Sequence, residues 1–418
     1  MVRKDIEITA PAGSFESLAA AYQGGADSVY FGAEHLNMRA GSSNNFSYTD
    51  LRRIVSICKD HGLKSYLTVN VVIYDDEISR MQKLIDIAAE TGIDAIIASD
   101  LAAITYAFNA GIEIHLSTQL NISNTEALRF YSGWADVAVL ARELNLDQVR
   151  HIHDTILKQD IRGPKGDPIK IEMFAHGALC MAVSGKCYLS LHENNASANR
   201  GNCYQTCRKS YIVTEKESGY QLGIDNEYIM SPKDLCTIGF LDRMIDSGVS
   251  ILKIEGRARS PEYVKVVSEC YNEAVNAVCE GTYTTDHIEE WKKKLATVFN
   301  RGFWDGYYLG QKLGEWNTRY GSAATKRKSY LGKITNYFTK IKVAEIKLEN
   351  GDLNKGDTIL IIGPSTGVIE YTVGEIRVDL EKTDKANKGE FCSVSIEEYL
   401  RRSDKVYKWV DSDDHKNQ

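Results

Sequence analysis

Along the first 280 or so residues, short apolar runs alternate with helix-length amphipathic stretches, the pattern of repeated βα units. Eight runs read as strands: Ile6–Ala10, Ser28–Phe31, Lys64–Val69, Ala95–Ala98, Glu113–Leu116, Val137–Leu140, Ile169–Phe174 and Ser250–Ile254. Between them, Asp75–Thr91 sets Ile78, Met81, Leu84, Ile85 and Ala88 on one stripe. Its acidic start, Asp75-Asp76-Glu77, suits the positive end of a helix dipole. Ser260-Pro261-Glu262 opens another helix with an N-cap serine and a proline in the first turn, and Gly281 closes it. Eight strands alternating with helices predict an α/β fold, a (β/α)8 TIM-like barrel over 1–285 whose chemistry gathers at the C-terminal strand ends. A doubly wound sheet has the same local pattern.

Several of those strand ends are polar: Asn70, Ser117-Thr118-Gln119, Arg142-Glu143, His176-Gly177 and Glu255-Gly256-Arg257. The seventh unit is interrupted, with about 75 residues between Phe174 and Ser250, so an insertion at 177–249 is expected at the catalytic face. The pattern changes after residue 285. A helical connector with Trp291 and Trp304 is expected at 286–324, followed by a small antiparallel β-barrel at 325–410. Its strands read as Tyr330–Ile334, Ile341–Leu348, Thr358–Ile362, Ile369–Val378 and Phe391–Ile396, and residues 411–418 read as a disordered tail.

Length and charge bound the answer. At 418 residues two or three domains are expected, and no run approaches the 18 apolar residues of a membrane span. With no apolar leader at the N-terminus, the expected setting is the cytoplasm, where thiols stay reduced. A net charge of −7 argues against wholesale coating of nucleic acid. It leaves room for a local basic patch, for which Lys326, Lys328, Lys333, Lys340, Lys342, Lys347 and Lys355 are candidates, or else a plain solvated surface.

Chemistry concentrates in the insertion. Cys180, Cys187, Cys203, Cys207 and Cys236 fall within 57 residues, while the other cysteines are scattered. Structural zinc usually comes with short C-x₂₋₄-C knuckles, a spacing that Cys203 and Cys207 alone provide; an iron–sulfur cube accepts thiolates from distant loops. Ordinary or redox thiols remain the third reading. Glu172 and His176 are candidate acid–base groups, and strict alternation would put them with Phe174 on one face, where they could equally be satisfied core groups. Hydrolase motifs such as Gly-x-Ser-x-Gly are missing, and His192-Glu193 lacks a second histidine.

The stretch from Glu172 to Ser190 resembles the signature of the collagenase-like, or U-thirty-two, peptidase family. Its other phrases recur as Ala10-Pro11-Ala12-Gly13, Tyr30-Phe31-Gly32 followed by Asn37-Met38-Arg39, Ser231-Pro232-Lys233-Asp234-Leu235-Cys236, and Lys253-Ile254-Glu255-Gly256-Arg257. The resemblance covers nearly the whole chain. Despite the label, it implies an oxygen-independent hydroxylase with a 4Fe–4S cluster. One branch of the family acts on the wobble uridine of tRNA with prephenate, another on a ribosomal RNA cytidine, and a shorter pair in ubiquinone synthesis lacks a C-terminal barrel. The phrase Leu353-Asn354-Lys355-Gly356-Asp357 looks like a strand turn of translation-factor barrels, which favours the tRNA branch and an anticodon loop as partner. Carried over, the cluster ligands are Cys180, Cys187, Cys203 and Cys236, with Cys207 as a fifth candidate. Prephenate, a small dicarboxylate, calls for arginine forks, and Arg39, Arg142 and Arg257 stand at strand ends. An accessory or homologous subunit is a further expectation. The rivals are a peptidase, a hydroxylase of another RNA or a small aromatic substrate, and a non-catalytic iron–sulfur RNA-binding factor.

Overall fold

The structure is a computed structural model that describes residues 2–41, 45–212, 214–219, 230–311, 314–318 and 321–412. The predicted barrel is present. Strands β1 (Glu7–Pro11), β2 (Ser28–Gly32), β3 (Lys64–Val69), β4 (Ala95–Ala98), β5 (Glu113–Leu116), β6 (Val137–Val139) and β7 (Lys170–Ala178) pair in sequence order, all parallel. Within the insertion lies a short β8 (Asp234–Cys236), and β9 (Val249–Ile254) pairs parallel with both β1 and β7, closing the ring. The strands form because β-branched and aliphatic residues face the surrounding helices, as Val29, Leu67, Ile96 and Leu252 do, all fully buried. The helix starts follow the sequence signals. Ile78–Thr91 follows a single acidic 3₁₀ turn at Asp75–Glu77, and Pro261–Glu280 ends at Gly281 in the left-handed conformation.

The upper end of β7 forks, which was not expected. Below, β7 runs beside β9; above, His176, Gly177 and Ala178 pair antiparallel with Cys236, Leu235 and Asp234 of β8. A further strand, β10 (Phe303–Trp304), lies parallel on the other side of β8. Among its described residues the stretch 286–324, read as a helical connector, therefore holds one helix, Thr285–Ala296, and then a strand that extends the mouth of the barrel. Trp304 Nε1 fixes it by donating to Lys233 O at 3.1 Å.

From Lys326 onward the chain forms an eight-stranded antiparallel sheet around a second apolar core that includes Leu331, Ile346, Ile361, Val394 and Val406. The run Ile369–Val378, read as one strand, is two, Gly367–Thr372 and Ile376–Val378. The strand Lys405–Asp411 escaped the sequence reading: Asp411 pairs with Lys326 rather than opening a disordered tail, and residues 413–418 lie outside the described residues. This sheet is tied to the barrel helices. Gln23 exchanges two 2.8 Å hydrogen bonds with Thr366 O and Val368 N, and Lys328 pairs with Glu262 at 2.9 Å. No helix among the described residues is long and apolar enough to cross a membrane.

Candidate functional site

The C-terminal strand ends and the insertion enclose a cavity of about 220 Å³. The insertion is held over the barrel by specific contacts. Arg200 forms two 3.0 Å hydrogen bonds with Glu77, Asn121 Nδ2 donates to Ser184 O at 2.9 Å, and Gly41 N donates to Gly201 O at 3.0 Å. Gly201 sits at φ 88°, and a Cβ there would stand 2.6 Å from Asn37 O, so only glycine allows this approach. Gly201→Ala is expected to lift the insertion at a cost of about 1–3 kcal/mol. Limited proteolysis would check this: faster cleavage within 181–212 is expected, with the barrel fragment staying resistant.

Arg39, Arg142 and Arg257 all line this cavity, as expected from their strand-end positions. Arg39 Nη2 pairs with Glu255 Oε1 at 2.6 Å, and the Tyr30 hydroxyl donates to Glu255 Oε2 at 3.1 Å. Burial would push the Glu255 carboxyl up, but Arg39, then Arg257 and Arg142, hold it down at about 2. Arg257 is buried and donates from Nη1 to Asn37 Oδ1 and Thr68 Oγ1, both at 3.0 Å; burial lowers its guanidinium to about 10. Arg142 donates to Ser184 Oγ at 2.7 Å and lies 5.1 Å from the Phe174 ring centroid.

Lys253, Arg259 and Arg301, which sequence reasoning missed, stand on the same wall together with Arg208, whose segment Cys203–Tyr211 the sequence offers as a stacking surface for a base. Arg301 and Arg259 share Asp234 of β8, at 3.2 and 3.8 Å, and Arg208 donates to Ser231 Oγ, Pro232 O and Leu179 O. Glu255 is the one carboxylate among the described lining residues. A cavity with this lining favours anions. The missed signal was available: in Lys253-Ile254-Glu255-Gly256-Arg257, alternation alone aims Lys253, Glu255 and Arg257 the same way.

The cysteines separate into two places. Cys180, Cys187, Cys203 and Cys207 line the cavity and lie within electrostatic reach of one another. Burial pushes the Cys207 thiol up to about 11 against the opposing charge of Arg208. Cys236 is not on this wall. It sits on β8 opposite His176, buried, with its thiol against the Tyr271 hydroxyl and raised to about 11 by that burial. Among the described residues no three His, Cys, Asp or Glu side chains are grouped to hold a single metal ion. Four thiols from the one insertion, with Arg39 and Arg208 nearby to balance thiolate charge, suit the donor needs of a larger iron–sulfur cube.

The two acid–base candidates do not share a face. Glu172 points into the barrel, where Lys253 Nζ lies 2.6 Å from its Oε1. His176 points outward, against Tyr263 and Tyr271 of the helix Pro261–Glu280. The cause is a bulge: Phe174 pairs with Lys253 and His176 with Ile254, so Ala175 is skipped and alternation reverses. Burial drives His176 down to about 3, leaving it neutral. Neither residue lines the cavity itself. The lysine run of the C-terminal sheet is largely neutralised, since Lys328, Lys333, Lys342 and Lys355 pair with Glu262, Glu349, Glu397 and Asp384.

A closed parallel barrel whose mouth is lined by thiols and guanidinium groups is an enzyme-type architecture with its chemistry at the strand ends. The sequence profile of Peptidase family U32 matches residues 13–318, and the chain belongs to that family. It is 62% identical over 405 residues to a protein named collagenase from Porphyromonas gingivalis, covering 97% of this chain and 98% of that one. It is 29% identical to tRNA hydroxylation protein P1 of Bacillus subtilis, over 90% of this chain and 88% of that one. A 23S rRNA 5-hydroxycytidine synthase of Escherichia coli is 34% identical over 74% of this chain and 46% of its own length.

Proposed function

We propose that the chain is a tRNA-modifying enzyme that hydroxylates the wobble uridine without molecular oxygen, with a 4Fe–4S cluster on Cys180, Cys187, Cys203 and Cys207 and prephenate as co-substrate. The observation that carries this reading is the joining of four thiols and a cationic wall in one cavity. The relative named for tRNA hydroxylation, matched over most of both chains, supports the substrate class. When bound, the cluster supplies redox or Lewis-acid chemistry at the cavity wall. Arg39, Arg142 and Arg257 hold the carboxylates of prephenate, with Glu255 fixing the Arg39 guanidinium. The insertion shields the cavity from water. The uridine leaves its stack in the anticodon loop to reach it, and the exposed Tyr188 and Tyr204 offer it stacking surface. Because most C-terminal lysines are already paired, phosphate contacts there contribute less than their number suggests.

The test is nucleoside mass spectrometry of tRNA from a strain lacking this gene and any second copy. The expected outcome is complete loss of wobble-uridine hydroxylation, and unchanged hydroxylation contradicts the proposal. The identity to the Porphyromonas gingivalis protein supports a second reading, a peptidase. Cleavage of a collagen-like peptide by metal-free protein, abolished by one nucleophile substitution, would favour it.

A further inference from the structure

Below the cavity the barrel interior is charged, where such barrels are normally packed with branched apolar side chains. Lys253 stands at the boundary. It lines the cavity, with its Nζ 2.6 Å from Glu172 Oε1 and 4.6 Å from the Tyr30 ring centroid. The second oxygen of Glu172 faces His115 Nδ1 at 3.6 Å, and neither of these two buried atoms has a hydrogen-bond partner. Nε2 of His115 lies 3.2 Å from Glu113 Oε1, and Glu113 pairs with Lys165. A neutral imidazole that donates from Nε2 to Glu113 turns a lone pair toward Glu172, which accounts for the open 3.6 Å gap. Protonation at Nδ1 would turn the same gap into a charge-assisted hydrogen bond. Glu172 therefore has two cations within reach, Lys253 already paired and His115 in reserve.

We propose that the cavity takes up a carboxylate and a proton together, Lys253 leaving Glu172 for the ligand while His115 gains a proton and replaces it. This rests on the reading of the cavity as the co-substrate site. Lys253 stays an ammonium throughout, and Glu172 stays ionised. One proton passes from solvent to His115 Nδ1, and no bond between heavy atoms forms or breaks. The exchange is required because a buried carboxylate stripped of its partner is heavily penalised. The groups facing His115 from the other strands agree with this role. Tyr66 of β3 packs its ring 4.4 Å away, and Glu7 of β1, which accepts from the Tyr66 hydroxyl and pairs with Lys64, adds negative charge. Burial disfavours the imidazolium, but the hydrogen bond to Glu113 and the negative charge of nearby Glu172 outweigh it and raise its pKa above the ordinary value.

Isothermal calorimetry of prephenate binding to the anaerobically purified, cluster-containing protein tests this. Titrations run in two buffers of different ionisation heat, at the same pH, about two units above the ordinary histidine value. The expected result is a buffer-dependent heat corresponding to uptake of about one proton per ligand. In His115→Gln, which keeps an amide donor toward Glu113, prephenate binds roughly tenfold more weakly, an effect of about 1.4 kcal/mol, with no buffer dependence. In Lys253→Met, where His115 alone meets the Glu172 charge, both the affinity and the uptake fall, while circular dichroism reports a folded barrel. Buffer-independent heat in the unaltered protein, or uptake that survives in His115→Gln, overturns the proposal and leaves the hydroxylase reading standing. No prephenate heat at all overturns this proposal and the co-substrate assignment, while hydroxylation is scored separately on tRNA.

Discussion

Glu172→Ala is expected to destabilise the barrel by about 3–5 kcal/mol, the cost of leaving one member of a buried ion pair uncompensated. Lys253 is 5% exposed and Glu172 fully buried, so water cannot take over the role of the lost partner. Guanidinium titration of the variant beside the unaltered protein measures the shift, and a loss below about 1 kcal/mol would contradict it. Replacing both residues, Glu172→Leu with Lys253→Met, should recover most of the loss, because a well-packed apolar pair of similar volume substitutes for a buried ion pair at little cost. The effect depends on pH with a definite sign. Burial raises the Glu172 carboxyl, but Lys253 and His115 bring it to about 2, below its unfolded value. Its contribution is therefore present above the ordinary carboxylate range and is lost as the pH falls toward 2.

The second large effect concerns iron. Cys207→Ala should drop bound iron to near zero in oxygen-free preparations, whereas Cys236→Ala should keep the unaltered protein's iron and lose only about 1 kcal/mol of stability. The contrast follows from position alone: Cys207 faces the cavity with three other thiols, and Cys236 is buried against Tyr271. Iron analysis and the visible absorption spectrum decide it. Iron lost with Cys236→Ala and retained with Cys207→Ala would reverse the ligand assignment. The sequence does not show this separation, because only the fold of the insertion parts the two thiols.

Much of the barrel was legible because its strands and helices differ in period. Lys64–Val69, Ala95–Ala98 and Glu113–Leu116 match their predicted bounds residue for residue. Three features were hidden for physical reasons. The bulge at Ala175 leaves no mark in composition, yet it turns His176 from the barrel interior to the helix layer. The strand β8 is three residues long, too short for any periodicity, and it forms only because β7 overshoots the barrel rim. Lys405–Asp411 alternates weakly, with Val406 and Trp409 buried among charged and half-buried neighbours, so its pairing with Lys326–Phe338 had to be seen. The site was half visible. Arginines and cysteines announce themselves by type, but the structural use of Asp234, Asn37 and Glu255 emerges only from their partners.

The fork in β7 also sets a timetable for synthesis. Strand β8 lies between β7 and β10, and β10 is encoded almost seventy residues later, after three helices and the last strand of the barrel ring have been made. A ribosome must have passed Trp304 before β8 has both neighbours and Asp234 can receive Arg301. The β8 end of the insertion is therefore completed late, after the barrel ring has closed, whereas the segment carrying Cys180 to Cys207 already has its contacts to Gly41, Glu77 and Asn121.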